Sequence, residues 1–248
     1  MNTYKHGKLI AHRGLAGNYF ENTLESFVAA GERDEFFGIE TDVYWTADNE
    51  FVCVHDDAPF AGSEKPVFEM TFSEARSLIL KPSVNYPYIH GTKNIIPSFK
   101  EYLEVCKRFK KTAVIELKQK GWTEDRIVHL SGLIKMFDML DRSIIISFQD
   151  DAIEKSRKIF PKTVDVQQLI DKESLRTNKE YLDSGYSLDI GDLHSPTSET
   201  SGVEIEKELV DYAHKKGLFI NVWSVDEEKR AKELDEIGVD YITTNFIL

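Results

Sequence analysis

The chain has 248 residues, with 31 Lys and Arg against 43 Asp and Glu, a formal net charge of −12. A hydrophobic share of 41% supplies a sizeable core and excludes a disordered chain. The acidic balance argues against general nucleic-acid binding, which needs cations to displace phosphate counterions; a small anionic ligand stays open, because a local site can oppose the overall sign.

In chain order, the first apolar run, Leu9-Ile10-Ala11, stops at His12-Arg13 and is too short for the core of a signal peptide. No stretch approaches the ~18 uninterrupted apolar residues of a membrane span. The expectation is a cytoplasmic protein without a stable membrane anchor. Apolar, β-branched runs predict strands at 8–12, 38–44, 51–55, 113–117, 143–147, 163–169, 186–190, 218–223 and 240–243. Helices between them carry start signals, each a capping residue three positions before an acid: Asn22 with Glu25, Thr71 with Glu74, Ser98 with Glu101. Further helices are predicted at 124–140, 151–160, 203–216 and 226–237, the last two stopped by Gly217 and Gly238. The only cysteines, Cys53 and Cys106, lack zinc-type spacing and read as two buried thiols.

Strands alternating with helices imply parallel βαβ units, and eight such units close a barrel. Nine strands are predicted, and geometry identifies the odd one. Six residues separate Tyr44 from Phe51, too few for a parallel crossover, so 51–55 returns antiparallel as a hairpin on the second strand. The fold class is therefore a TIM (β/α)8 barrel with an insertion after that hairpin. Residues 57–97, long and rich in Pro, Tyr, Ser and Lys, read as an insertion or lid on a single domain spanning 1–248.

Chemistry concentrates between His12 and Asp56. His12-Arg13-Gly14 sits where the first strand ends, which is the active face of such barrels. Glu40 and Asp42 are two apart on one strand and share a side, as do Glu116 and Lys118. A hairpin turn centred near Ala47–Asp48 sets Asp42 opposite Cys53 and Glu40 opposite His55. Carboxylates on a common rim repel unless a cation neutralises them, and oxygen-only ligands favour Mg²⁺ or Ca²⁺ over zinc. Two histidines beside such an ion suit general acid and base work, and Arg13 and Lys118 add donors for a phosphate.

These residues resemble the glycerophosphodiester phosphodiesterases. The resemblance rests on Ala11-His12-Arg13-Gly14, Glu21-Asn22-Thr23, Gly38-Ile39-Glu40-Thr41-Asp42-Val43, His55-Asp56, Ile96-Pro97-Ser98-Phe99, Glu116-Leu117-Lys118, Val222-Trp223-Ser224 and Gly238-Val239-Asp240-Tyr241, in order along nearly the whole chain. It implies hydrolysis of small-molecule glycerophosphodiesters to sn-glycerol 3-phosphate and an alcohol. By the same resemblance, Glu40, Asp42 and Glu116 bind the metal, and His12 and His55 act as acid and base. Arg13 and Lys118 hold phosphate, Trp223 walls the glycerol pocket, and the insertion covers the mouth. Two departures stand out: Phe20 replaces the usual proline before Glu-Asn-Thr, and Thr244-Asn245-Phe246 replaces Thr-Asp followed by proline. Asp189 and Asp192, near the end of a late strand and without a family match, are candidate rim residues, with simple surface or turn roles as the plainer reading. Two rival readings accompany the leading one. A lysophospholipase D-like enzyme would line an apolar channel with Phe60, Val67, Phe68, Tyr86, Tyr88 and Ile89; a non-catalytic barrel would only bind glycerol phosphate.

Overall fold

The computed structural model describes residues 4–81, 94–174, 176–195 and 202–248. Nine strands form one sheet: β1 (Lys8–Ala11), β2 (Phe36–Trp45), β3 (Phe51–Cys53), β4 (Thr112–Leu117), β5 (Ser143–Ser147), β6 (Asp165–Ile170), β7 (Ser187–Gly191), β8 (Ile220–Trp223) and β9 (Tyr241–Thr244). Their order is β1-β9-β8-β7-β6-β5-β4-β2-β3, and a further β1–β2 pairing closes eight of them into a parallel barrel. Only β3 is antiparallel, hydrogen-bonded to β2 as the short connection requires. The predicted TIM barrel with a hairpin is the observed fold.

The hairpin register differs by one residue from expectation. Val43 pairs with Cys53 and Tyr44 with Val52, so Asp42 faces Val54, whose N–H donates to the Asp42 carbonyl at 3.0 Å. The turn is longer than two residues: Thr46 N–H reaches the Glu50 carbonyl and Thr46 Oγ1 bonds Asp48, which moves the centre of the turn by half a residue. His55 therefore lies beyond the strand, in the loop that follows β3, and not opposite Glu40.

Among the described residues, eight α-helices accompany the strands: α1 (Leu24–Gly31), α2 (Phe72–Arg76), α3 (Phe99–Phe109), α4 (Glu124–Met136), α5 (Asp150–Ile159), α6 (Asn178–Asp183), α7 (Lys207–Lys215) and α8 (Glu228–Ile237). Capping boxes start α2, α3 and α6, at Thr71/Glu74, Ser98/Glu101 and Thr177/Glu180. The last of these, legible as Thr-x-x-Glu, marks a helix the strand-and-helix reading passed over. At α1 the cap is Thr23, whose hydroxyl accepts from Ser26 N–H; Asn22, the expected cap, is used elsewhere.

Strand periodicity sorts side chains into two layers. Leu9, Ile39, Val43, Ala113, Ile115, Ile145, Leu188, Ile190, Val222 and Ile242 point outward into the main core under the helices. There α1 and α3 meet through Phe27 and Tyr102, edge to face with ring centroids 5.0 Å apart. The alternate residues point into the barrel: Ile10, Val114, Ile144, Ile146, Leu169 and Tyr241 pack together as its apolar interior. A third cluster, with Tyr44, Val52, Phe60, Val67, Leu80 and Ile96, packs the segment after β3 onto the hairpin. Phe20 joins that cluster, so the side chain standing where the family has proline is a buried packing residue. Both cysteines are free and buried, as expected. No helix among the described residues is long and apolar enough to cross a membrane.

Candidate active site

A cavity of about 440 Å³ opens at the carboxyl ends of the barrel strands, and all of His12, Arg13, Glu40, His55, Glu116, Lys118 and Trp223 line it. Asp42 lies directly behind them, fully buried. One oxygen from each of Glu40, Asp42 and Glu116 falls within 4.8 Å of the others. The strand alternation explains this: Glu40 and Asp42 are inward residues of β2, Asp42 pairs with Glu116 of β4, and both strands end at the same rim.

The loop after β1 brings cations to these acids. Arg13 has φ +53° and Gly14 has φ +83°, a conformation open to glycine, and a Cβ on Gly14 would collide with Ser26. Ser26 Oγ donates to the Arg13 carbonyl at 2.8 Å and locks the turn. Arg13 then gives its backbone N–H to Glu40 Oε2 at 2.8 Å, its Nε lies 3.3 Å from Asp42 Oδ2, and Nη1 lies 3.0 Å from Glu21. Lys118 Nζ sits 3.1 Å from Glu116 and 3.5 Å from Asp42 Oδ1. Asn22, at φ +52°, donates to Asp42 Oδ2 at 2.8 Å and accepts from Thr41 Oγ1 at 2.7 Å. It orients the central acid, which is why it does not cap α1.

Three buried carboxylates share two cations. Burial works against the Asp42 charge, yet Arg13, His55 and Lys118 outweigh it and hold that carboxyl well below the usual range. Burial and the adjacent Asp42 push Glu40 well up, and burial raises Glu116 against the pull of Lys118. Among the described residues, Asp42 Oδ1 makes no hydrogen bond, with the Lys118 ammonium 3.5 Å away. An excess of close, buried, oxygen-only donors with an orphaned lone pair fits a hard divalent cation, which would turn the local balance positive.

The two histidines differ in surroundings. His12 Nδ1 lies 2.9 Å from Asn245 Oδ1, and Ser224 Oγ lies 3.4 Å away. Asn245 spends its Nδ2 hydrogens and its backbone N–H on Asp226, at 2.9 and 2.8 Å, so its oxygen is left to accept from His12. That fixes the proton on Nδ1 and leaves Nε2 a lone pair. Burial and the Arg13 charge push His12 down to about 3. His55 instead pairs its Nδ1 with the Asp56 carboxylate at 2.8 Å.

Several functional-looking residues escaped the sequence reading. Asp226, which the sequence places only at the start of a predicted helix, is the partner of Asn245. Asp189 and Asp192 are not surface residues: Asp192 is held by two hydrogen bonds from Arg230 at 2.8 and 3.0 Å, and Asp189 lies inside the barrel, 2% exposed. The inward position of Asp189 was readable from its apolar neighbours Leu188 and Ile190, which take the outward face. Of the six residues expected to line an apolar channel, Phe60 and Val67 are core, Phe68 is exposed, and Tyr86, Tyr88 and Ile89 lie outside the described residues. Phe20, Val54, Pro59 and Leu80 supply the apolar wall instead.

The chain matches the glycerophosphoryl diester phosphodiesterase family over residues 12–248. A glycerophosphodiester phosphodiesterase of Bacillus altitudinis is 28% identical over 96% of this chain and 94% of its own length. A crystal structure of a glycerophosphodiester phosphodiesterase from Parabacteroides distasonis is 27% identical, with TM-score 0.74 over 98% of this chain and 94% of that one. A phosphodiesterase of Oleispira antarctica in complex with the product sn-glycerol-3-phosphate shares the fold at TM-score 0.78 and 20% identity, over 97% and 94% of the two chains.

Proposed function

Because the chain belongs to the glycerophosphoryl diester phosphodiesterase family, we propose that it is a cytoplasmic, metal-dependent enzyme that hydrolyses glycerophosphodiesters to sn-glycerol 3-phosphate and an alcohol. The observation that carries this reading is the convergence of the Glu40–Asp42–Glu116 triad, within 4.8 Å, on a cavity that both histidines, Arg13 and Lys118 also line.

Glu40, Asp42 and Glu116 would hold the ion, Mg²⁺ or Ca²⁺. Bound there, it supplies Lewis acidity toward a phosphate oxygen. Arg13 and Lys118 stay charged, since each is raised by neighbouring acids despite burial. Both bind the phosphoryl oxygens and stabilise charge as it develops on them. His12, neutral with Nε2 free, starts in the form that accepts a proton from the nucleophile. His55, with the Asp56 carboxylate against its Nδ1, is the group that returns a proton to the departing alcohol. The P–O bond to that alcohol breaks, and the attacking oxygen takes its place on phosphorus. The nucleophile is water, or the glycerol 2-hydroxyl followed by water opening a cyclic phosphate. Trp223 lines the wall beside β7, its Nε1 donating to the Asp189 carbonyl at 3.4 Å, and bounds the glycerol pocket. The described part of the insertion brings Pro59, Leu80 and Lys81 to the cavity wall.

Choline release from glycerophosphocholine tests the reading. Activity is expected with Mg²⁺ or Ca²⁺ and is expected to vanish in EDTA. A rate indifferent to EDTA would remove the metal from the reaction, and binding of sn-glycerol 3-phosphate without any turnover would make the chain a binding barrel. The apolar wall of Phe20, Val54, Pro59 and Leu80 favours one further substrate class, lysophospholipids; faster turnover of lysophosphatidylcholine than of glycerophosphocholine would support it.

A further inference from the structure

The barrel interior below the triad is apolar on the β5 side, where Ile144 and Ile146 pack with Ile10, Val114, Leu169 and Tyr241. The β7–β8 side is different. Asp189 on β7 pairs in register with Asn221 on β8, and alternation turns both side chains into the barrel. Asp189 is 2% exposed and lines the cavity floor with Leu169 and Thr243, and Asn221 is fully buried. Neither is satisfied: among the described residues, Asp189 Oδ1 and Asn221 Nδ2 have no hydrogen-bond partner. Asn221 Oδ1 is taken, accepting from Thr243 Oγ1 at 3.2 Å, which fixes the amide with its nitrogen free.

Leaving buried polar atoms unpaired is costly, and such atoms in a native fold call for a ligand, an ion or an ordered water. A cation is a poor candidate at this spot. Oxygen donors of three residues converge at the triad, and Asp189 is not one of that group. Burial pushes the Asp189 carboxyl well above the usual carboxylate range, the Glu116 charge adds to this, and only the neighbouring Asn221 amide opposes it. A carboxyl oxygen and an amide offer an acceptor and a donor, in either charge state of the acid, and an alcohol can use both.

We infer that Asp189, which lines the cavity with the buried Asn221 amide behind it, hydrogen-bonds a neutral hydroxyl group of the bound substrate while Asn221 positions it, and so selects a polyol phosphate over a plain alkyl phosphate. The inference rests on the proposed phosphodiester chemistry of the same cavity for the location of the phosphate. Selectivity should come from the penalty of leaving these two groups unpaired when the ligand lacks the hydroxyl.

The test compares calorimetric binding of sn-glycerol 3-phosphate and of 1-propyl phosphate, both with Mg²⁺. The wild-type chain is expected to favour the glycerol compound by about 10-fold or more. Asp189→Leu should bring the ratio close to one, Asn221→Leu should lower it several-fold, and Asp189→Asn, which can still hydrogen-bond, should restore most of it. Equal affinities in the wild type, or a ratio unmoved by Asp189→Leu, would overturn the inference. If Asp189→Leu does not fold, the ratio in Asn221→Leu decides in the same two directions. A wild type that shows this selectivity yet never turns over glycerophosphocholine would sink the proposed activity while leaving the subsite standing.

Discussion

On the β1–β4 side of the cavity, Glu40, Asp42 and Glu116 face Arg13 and Lys118 at hydrogen-bond or ion-pair distance. On the β7–β8 side, a buried acid and a buried amide meet without closing a hydrogen bond. Both sides lie at the end of the same barrel, and both alternate with apolar residues that hold the strands against the helices. On the proposed reading, one scaffold recognises two kinds of group. Charge-bearing chemistry needs several opposed charges, because a single buried charge is too costly to keep. Contact with a neutral hydroxyl needs only unpaired hydrogen-bonding atoms, and burial there pushes the Asp189 carboxyl upward, against the charged form.

The contrast is broken most sharply at its charged side. Asp42→Asn removes the charge that Arg13 and Lys118 converge on, and kcat/KM should fall at least ~10³-fold, with Mg²⁺ binding lost by calorimetry. A variant that still bound Mg²⁺ at wild-type affinity would move the metal elsewhere. His12→Ala and His55→Ala come next, each expected to cost about 10²-fold in turnover of glycerophosphocholine. Near-normal rates in either would remove that histidine from proton transfer.

Two stability effects are smaller. His12 is pushed down from 6.5 to about 3 in the fold, so between those values the unfolded chain takes up its proton first. The stability linked to His12 is complete above pH 6.5 and is lost as pH falls toward 3. Urea midpoints measured in EDTA at pH 7 and pH 5 should therefore drop less in His12→Asn than in the wild type; an equal drop would place the acid sensitivity in other groups. The smallest effect belongs to Glu40→Gln. Glutamine can still accept the Arg13 N–H, while the like charge beside Asp42 disappears, so in EDTA the fold should gain about 1 kcal/mol, or ~2–4 °C in Tm. The same variant should lose the stabilisation that Mg²⁺ gives the wild type. A lower Tm in EDTA would mean that the Glu40 charge, despite its crowding, holds the Arg13 turn.

Much of this was written along the chain because it depends on local rules. Apolar, β-branched runs announced the nine strands, six residues between Tyr44 and Phe51 forced the hairpin, and paired spacings put Glu40 with Asp42 and Glu116 with Lys118 on common faces. Ser98/Glu101 and Thr71/Glu74 carried their capping boxes in four letters. What local rules cannot give is the partner of a side chain that has two uses. Asn22 looked like a helix cap, but the barrel sets Asp42 within its reach and the buried acid takes it. Asp226 reads along the chain only as the start of a helix, but the end of β9 brings Asn245 to it.

The sequence by itself thus determined the barrel, the acidic triad, the two histidines and the two cations, because each follows from spacing along a strand or from an ordered motif. Only the tertiary structure decided the hairpin register, the tautomer of His12 and the pairing of Asn22 with Asp42. Those depend on which atoms are left unpaired once distant strands close into a barrel, and that accounting involves the whole ring of strands at once.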